Sequence, residues 1–368
     1  MKFSIVTPFY NNNEGKYIDE IYDSVIGQTH QDWEWVITDD FSSDGTLNRL
    51  KKFNDPRIRL VTQKEKKELF FNPHIYSFGD VVVQLDSDDK MYPKALEVYN
   101  HFFIKNPDVF FMSVGTNYME ENGEFYSSQI IDHKDFNNCL EKKLLKDDNW
   151  KNNLNFLHFN GAWGNLQAWR NVKKIDFNPK KYKNLIYPDI NRALTLEEYG
   201  KYLHLPRTLY QNNMRDNSQS QKQMNNDEIL EYCFYLEDVK NRRPNKLNSY
   251  DKRYDDVFEE TYMILYSDLL FETDRKNISI FNIEPHKEKK LEEIYFDHNL
   301  FFNKLSDNID YYFFFIRNLE DINFVKEKNL NGVLLYIPFN HDKNIDLSNF
   351  FNDAKFHKKF YGSQIMYI

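Results

Sequence analysis

Glycine and proline are scarce in this 368-residue chain, eleven of each. That excludes collagen-like and linker-rich low-complexity architectures. Cysteine is scarcer still. Cys139 and Cys233 cannot build a disulfide framework and read as small core residues in a reducing compartment. No apolar run reaches the ~18 residues that would span a bilayer, and the apolar part of Met1–Pro8 is too short for a secretory leader. The expectation is a cytoplasmic protein, with peripheral contact at the inner face of the membrane left open. Basic charge is in deficit as well. The net charge of −9 works against phosphate-backbone binding, so nucleic acid is not an expected partner.

Several catalytic signatures are also missing. The ten histidines form neither His-Glu-x-x-His nor a Cys/His zinc pattern. A residue such as His74 or His158 is by default a hydrogen-bonded structural side chain. There is no Gly-x-Ser-x-Gly elbow. No glycine-rich turn follows the first strand, which disfavours dinucleotide binding and nucleotidyl transfer.

What is present is a well-furnished core: hydrophobic content is 41% and aromatic content 17%, with 32 Phe and 25 Tyr. The most informative stretch is Val81-Val82-Val83-Gln84-Leu85-Asp86-Ser87-Asp88-Asp89. It is a short β-branched run that stops in acid, and Pro93 then opens a helical pattern. Such runs are buried strands of mainly parallel sheets. Ligands of open α/β sheets bind at the carboxyl ends of the strands, which is where these acids fall. Taken alone, acids before a helix also fit simple capping. A second cluster, Asp39 and Asp40, ends the strand Trp33–Thr38, and that repetition favours a site. Two carboxylates ~4 Å apart repel by about 4 kcal/mol at an effective dielectric of 20. A divalent cation reverses the sign, and all-oxygen ligands suit Mg²⁺ or Mn²⁺.

In chain order, strands are predicted at Phe3–Thr7, Trp33–Thr38, Ile58–Thr62, Val81–Leu85 and Val109–Val114. Helices are predicted at Tyr17–Gln28, Leu47–Phe53 and Lys94–Ile104. This alternation predicts a doubly wound, mainly parallel α/β sheet flanked by helices. Glu121-Asn122-Gly123-Glu124 is a hairpin signal, and Asp135–Leu145 reads as a helix. Phe156–Trp169, with Trp163 and Gly164, could line a sugar-sized cleft or simply pack in the core. Ile190–Tyr199 reads as a helix and Tyr202–Leu209 as a strand broken by Pro206. Asn212–Asn226 reads as a polar loop, and Glu228–Val239 and Val257–Leu270 as helices.

Near the end, strands are predicted at Ile278–Ile283, Tyr311–Ile316, Val333–Ile337 and Gln364–Tyr367. The helices between them are placed at Leu291–Leu305, Glu320–Glu327 and Leu347–Phe356. The expected organisation is a main domain over 1–230, with a donor half to 115 and an acceptor half from 116. A helical extension over 231–272 and a small α/β unit over 273–368 follow.

A nucleoside-diphosphate substrate suits these parts. Asp40 could accept from a nucleobase N–H. A cation held by Asp88 and Asp89 would neutralise a leaving diphosphate. Asp189, at the start of a predicted helix, is the candidate general base for an acceptor hydroxyl.

Residues 3 to about 115 resemble the family 2 glycosyltransferases of the GT-A fold. Ser-Ile-Val-Thr-Pro-Phe-Tyr-Asn in the first strand and Ser24-Val25-Ile26-Gly27-Gln28-Thr29 are two of the matching motifs. Asp39-Asp40-Phe41-Ser42-Ser43-Asp44-Gly45-Thr46 resembles the family's Asp-Asp-x-Ser-x-Asp-Gly-Thr. Leu85-Asp86-Ser87-Asp88-Asp89 resembles its metal-binding Asp-x-Asp. Together, in this order and spacing, the four are highly specific.

The resemblance implies a metal-dependent, inverting transfer from a nucleotide sugar, a UDP-sugar first. The acceptor would be a glycan or lipid-linked hydroxyl of surface polysaccharide or glycolipid synthesis. Thr7, Pro8, Tyr10 and Asp40 would meet the nucleoside, and Asp44 would support that loop. Asp86, Asp88 and Asp89 would serve the diphosphate and the Mn²⁺ or Mg²⁺. Trp163, Gly164 and Arg215 would belong to the acceptor region. The chain departs from the pattern at Leu69-Phe70-Phe71-Asn72, where Ala-Arg-Asn is usual, and at Tyr187-Pro188-Asp189, where Glu-Asp is usual. Beyond about residue 230 the resemblance says nothing. The reading from another class is a GT-A-like binding or scaffold module without turnover. The intact Asp-x-Asp favours the enzyme.

Overall fold

The computed structural model describes residues 1–12, 17–62, 72–120, 125–129, 165–177, 192–193, 195–196, 199–214, 250–257, 260–261, 270–328, 330, 333–337, 345–351, 354, 356–360 and 363–368. The chain folds as two compact units, Met1–Arg253 and Tyr254–Ile368. Among the described residues no helix is long and apolar enough to cross a membrane.

The first unit is built on β1 (Phe3–Phe9), β2 (Trp33–Asp39), β3 (Ile58–Thr62) and β4 (Val81–Gln84). These four are parallel neighbours in the order β4-β1-β2-β3. Every residue of β2 and β4 is buried, as in strands covered on both faces. Helix α1 (Tyr17–Ile26) turns Tyr17, Ile18, Ile21 and Val25 inward, the spacing of one helical face. The short α2 (Thr46–Leu50) follows β2. Helix α3 (Ala95–Lys105) buries Leu96, Val98, Tyr99, Phe102 and Phe103. Gln28, just past α1, joins the two longer helices: its amide donates to the Tyr92 carbonyl (3.0 Å) and accepts from Leu96 N–H (3.1 Å) in the first turn of α3.

On the other side of β4 the sheet changes character. It continues through β8 (Asn165–Arg170) and β6 (Val109–Met119) to β9 (Lys201–Asn213) and β10 (Tyr250–Asp251). β8 runs antiparallel to both β4 and β6. The two-residue β5 (Lys90–Met91) pairs with β9, and β7 (Phe125–Gln129) with β6, both antiparallel. The sheet is thus mixed and mostly parallel, the α/β arrangement expected. The antiparallel β6–β7 pair flanks the expected hairpin signal, whose own residues 121–124 lie outside the described ones.

Several boundaries differ from expectation. β6 runs on to Met119 and β9 to Asn213, so Asn212 and Asn213 are strand rather than loop. Pro206 does not break β9. Val114 pairs with Leu205 and Gly115 with Thr208, so Pro206 and Arg207 sit in a bulge, where a missing N–H costs nothing in the ladder. Gly115 permits it, because a Cβ there would stand 2.9 Å from Thr208 Oγ1. The helices expected at 135–145 and 228–239 lie outside the described residues. So does most of those expected at 190–199 and 257–270, though Arg192, Ala193, Thr195, Leu196, Glu260 and Thr261 are helical.

The second unit holds β11 (Asn277–Phe281), β12 (Asn299–Phe302), β13 (Tyr311–Phe315), β14 (Val333–Ile337), β15 (Phe356–Phe360) and β16 (Ser363–Tyr367). Their order is β12-β11-β13-β14-β16-β15, the first four parallel and the last two antiparallel. Helices α4 (Pro285–Ile294) and α5 (Leu319–Lys328) connect the parallel strands. Phe281, Phe314, Ile322, Val325 and Leu335 centre its core.

Two helix expectations fail here. The run 291–305 ends as a helix at Ile294, and β12 occupies 299–302. Asn299 N–H is claimed by the Lys276 carbonyl (2.8 Å) beside β11, so sheet pairing overrides the helical spacing. The run 347–356 is a three-residue 3-10 turn capped by Asp346, followed by β15.

Candidate active site

Parallel pairing brings the carboxyl ends of β1, β2 and β4 to one edge. Phe9 lies beside Asp39, and Val6 beside Gln84. Three loops leave that edge, and short polar side chains lace them together. Asn11 N–H donates to Ser42 Oγ (2.9 Å), and Asn11 Oδ1 accepts from Ser43 N–H (2.8 Å). Asn12, 1% exposed, does more. Its N–H reaches Thr46 Oγ1 (2.8 Å), and its amide donates to the Ser87 carbonyl (2.6 Å). Asn12, on the loop after β1, therefore fixes both the loop after β2 and the acidic loop after β4.

The loop after β2 is shaped by its own acids. Asp39 is buried, and its Oδ2 accepts from Ser42 N–H (3.3 Å). Asp44 Oδ1 accepts from Thr46 N–H (3.0 Å) and Thr46 Oγ1 (2.6 Å). The turn passes through Gly45 at φ 96°, a left-handed conformation that favours glycine. Asp40 is half-buried at the edge, its N–H held by the Phe9 carbonyl (2.8 Å). Tyr10, 49% exposed, flanks it. Pro8 is half-buried. Thr7 is placed differently from its expected nucleoside contact. It is wholly buried, and its hydroxyl accepts from Trp35 Nε1 (2.9 Å), so its side chain serves the packing of β1 on β2.

The acidic loop after β4 splits into two kinds of carboxylate. Asp86 and Asp88 are half-buried, and Asp86 Oδ1 lies 3.5 Å from Gln84 Nε2. Asp89 is 1% exposed, and β9 holds both of its oxygens. Tyr210 OH and Asn212 Nδ2 (2.8 Å) donate to Oδ2, and Asn213 N–H (2.8 Å) donates to Oδ1. Asn213 Nδ2 also donates to the Asp88 carbonyl (2.6 Å). Burial above all, with the charges of Asp88 and Asp86 behind it, pushes the Asp89 carboxyl well above the ordinary range, while the Tyr210 and Asn213 donors pull it down. Burial and the Asp89 charge raise the Tyr210 phenol in turn.

The expectation paired Asp89 with Asp88 as metal ligands. The geometry instead makes Asp89 the anchor that ties the acidic loop to β9. Among the described residues no cage of three or more His, Cys, Asp or Glu side chains is arranged to hold a metal. A magnesium-like ion does not need one. It keeps waters and binds one or two carboxylates plus substrate phosphates, and Asp88 with Asp86 fits that donor set.

The structure thus brings together Pro8, Tyr10, Asp40, Asp44, Asp86, Asp88 and Asp89. Trp163, Gly164, Asp189 and Arg215 lie outside the described residues. Sequence reasoning missed Asn12, which looks like one more polar loop residue. It also missed Tyr210, Asn212 and Asn213 as partners of Asp89. The signal available for these was the polar Gln211-Asn212-Asn213 that ends the strand.

Residues 4–170 match the family described as glycosyl transferase family 2. The chain is similar to chondroitin synthase of Pasteurella multocida (strain Pm70), 24% identical over 359 residues, 92% of this chain and 32% of that protein. It therefore spans about a third of that relative's length. It is also similar to the UDP-Glc:alpha-D-GlcNAc-diphosphoundecaprenol beta-1,3-glucosyltransferase WfgD of Escherichia coli. The identity there is 32% over 150 residues, 39% of this chain and 55% of that protein. Among solved structures, S. aureus TarS 1–349 in complex with UDP-GlcNAc aligns with a TM-score of 0.47 at 17% identity, covering 73% of each chain. The match to glycosyl transferase family 2 thus falls on residues 4–170, the part of the chain that carries the laced loops and the acidic edge.

Proposed function

We propose that the protein transfers a sugar from a nucleoside-diphosphate donor, a UDP-sugar first, to a hydroxyl of a glycan or lipid-linked acceptor. Polysaccharide or glycolipid synthesis is the setting this reading implies. The observation that carries it is the joining of the β1, β2 and β4 loops into one acidic platform by Asn11 and Asn12. A base-recognising carboxylate and a diphosphate-facing carboxylate then keep a fixed separation.

In this reading Asp40 accepts a nucleobase N–H, and Tyr10 covers the base. Asp44 keeps the loop in shape through Thr46. Asp88, with Asp86 beside it, would hold Mg²⁺ or Mn²⁺ against the diphosphate. When bound, the cation would neutralise charge on the leaving group. Asp89 takes no part in that coordination and fixes the direction of the loop. Asp189 would take the proton of the acceptor hydroxyl as its oxygen attacks the anomeric carbon. The nucleoside diphosphate leaves from the opposite face, so one displacement inverts the configuration.

The test is donor hydrolysis and transfer across a panel of nucleotide sugars with Mn²⁺ or Mg²⁺, for the wild type and Asp88→Asn. The expected result is metal-dependent turnover with one nucleotide class, lost in the variant. Tight nucleotide binding without any turnover would instead support a binding or scaffold module.

A further inference from the structure

Five non-glycine residues among those described have left-handed backbone: Asn11, Phe41, Leu166, Asn282 and Asn303. Three are asparagines, which tolerate the conformation. The two others are bulky, and for such residues it is an outlier. Packing accounts for Leu166, at φ 50°. It is 3% exposed, lies in the bulge between β6 and β8, and its carbonyl accepts from the Tyr99 hydroxyl.

Packing does not account for Phe41. Its φ is 60°, and its side chain is 43% exposed. The residues around it pin the strained backbone. Asp40 N–H is held by the Phe9 carbonyl, Ser42 N–H by Asp39, and Ser43 N–H by Asn11. The loop thus leaves the phenyl ring partly exposed immediately next to Asp40. Tyr10, 49% exposed, stands on the loop after β1, which Asn11 ties to the Phe41 loop through Ser42 and Ser43. An exposed apolar ring held in a disfavoured conformation gives no stability in the free protein, so its return must come from something bound.

We propose that Phe41 is a nucleobase-binding residue. Its ring supplies an apolar face for the base, with Tyr10, while Asp40 reads the edge. The inference rests on the donor reading above, and it identifies the group whose aromatic face meets this loop.

The test uses the full chain with Mg²⁺ and calorimetric titration of UDP, GDP and inorganic pyrophosphate against wild type, Phe41→Gly and Phe41→Tyr. Glycine relieves the left-handed strain, so Phe41→Gly should melt no lower than wild type. It should nonetheless bind the preferred nucleoside diphosphate about tenfold more weakly, about 1.4 kcal/mol, at the low end of base–aromatic stacking. Pyrophosphate, which has no base, should bind both proteins equally, and Phe41→Tyr should stay within about twofold of wild type.

Equal nucleotide affinity in Phe41→Gly overturns the inference and leaves the donor reading standing. Equal losses for nucleotide and pyrophosphate also overturn it, since the loop and not the ring would be responsible. If the wild type binds neither nucleotide, the donor reading falls and the inference with it.

Discussion

The anchoring of Asp89 is open to a single-atom test, Tyr210→Phe. The change removes only the phenolic oxygen, from a residue 1% exposed, and keeps the ring. It deletes one of the three donors to the Asp89 carboxylate and leaves Asn212 Nδ2 and Asn213 N–H in place. A hydrogen bond to a charged group is worth about 1.5–3 kcal/mol, and no new unpaired donor is created. The expected cost is about 2 kcal/mol. For a unit of this size, 1–253, each kcal/mol moves Tm by roughly 2–4 °C, so a fall of about 4–8 °C follows. Tyr92→Phe is the control. Tyr92 is equally a buried tyrosine next to β5, but its hydroxyl accepts from the neutral amide of Asn117 (3.1 Å), a bond worth about 1 kcal/mol or less. Calorimetry or thermal denaturation followed by circular dichroism reads both. If the two variants melt alike, or Tyr210→Phe melts as wild type, Asp89 is not held as a charged anchor. The assignment of Asp88 and Asp86 alone to the cation would then lose its ground.

Three further outcomes are expected. Asn12→Ala should cost about 1 kcal/mol in denaturant unfolding and weaken nucleoside-diphosphate binding, because the Ser87 carbonyl loses its 2.6 Å partner; unchanged binding would show that the acidic loop does not depend on this lacing. Burial pushes the pKa of His74 from 6.5 down to about 4, so the unfolded chain takes up a proton in a pH range where the folded one does not. Stability is then full above pH 6.5 and falls on acidification through that window by at most about 3 kcal/mol, and urea unfolding at several pH values should show a slope that flattens in His74→Gln. Asp189→Asn should lower transfer about 10²–10⁴-fold with nucleoside-diphosphate affinity nearly unchanged; near-wild-type turnover, or a product that retains the donor's anomeric configuration, would remove it as the base.

How much of this was legible before the structure differs sharply between the two halves of the first sheet, and the reason is physical. β1 to β4 are parallel, and β1, β2 and β4 are buried almost throughout, so local composition alone demands a strand, and the acids that end β2 and follow β4 mark the edge. The expected span Ile58–Thr62 was met without change, and the others differ by one or two residues. β6, β8 and β9 are held together by pairing across long sequence separations. Pro206, Asn212 and Asn213 carry loop chemistry in isolation and become strand only because β6 and β5 lie beside them. The same applies to β12, where a helical spacing loses to the edge of β11.

The site divides along the same line. The placement of Asp40, Asp44, Asp86 and Asp88 beyond the strand ends was readable because each ends or caps a locally determined element. What gives Asp88 and Asp89 different roles is not local. Adjacent aspartates look equivalent in sequence, and only the polar tip of β9, more than a hundred residues away, withdraws one of them from the edge. A motif can therefore tell that carboxylates are present at a strand end. Which carboxylate stays at the edge is decided by the partner strand that claims its neighbour.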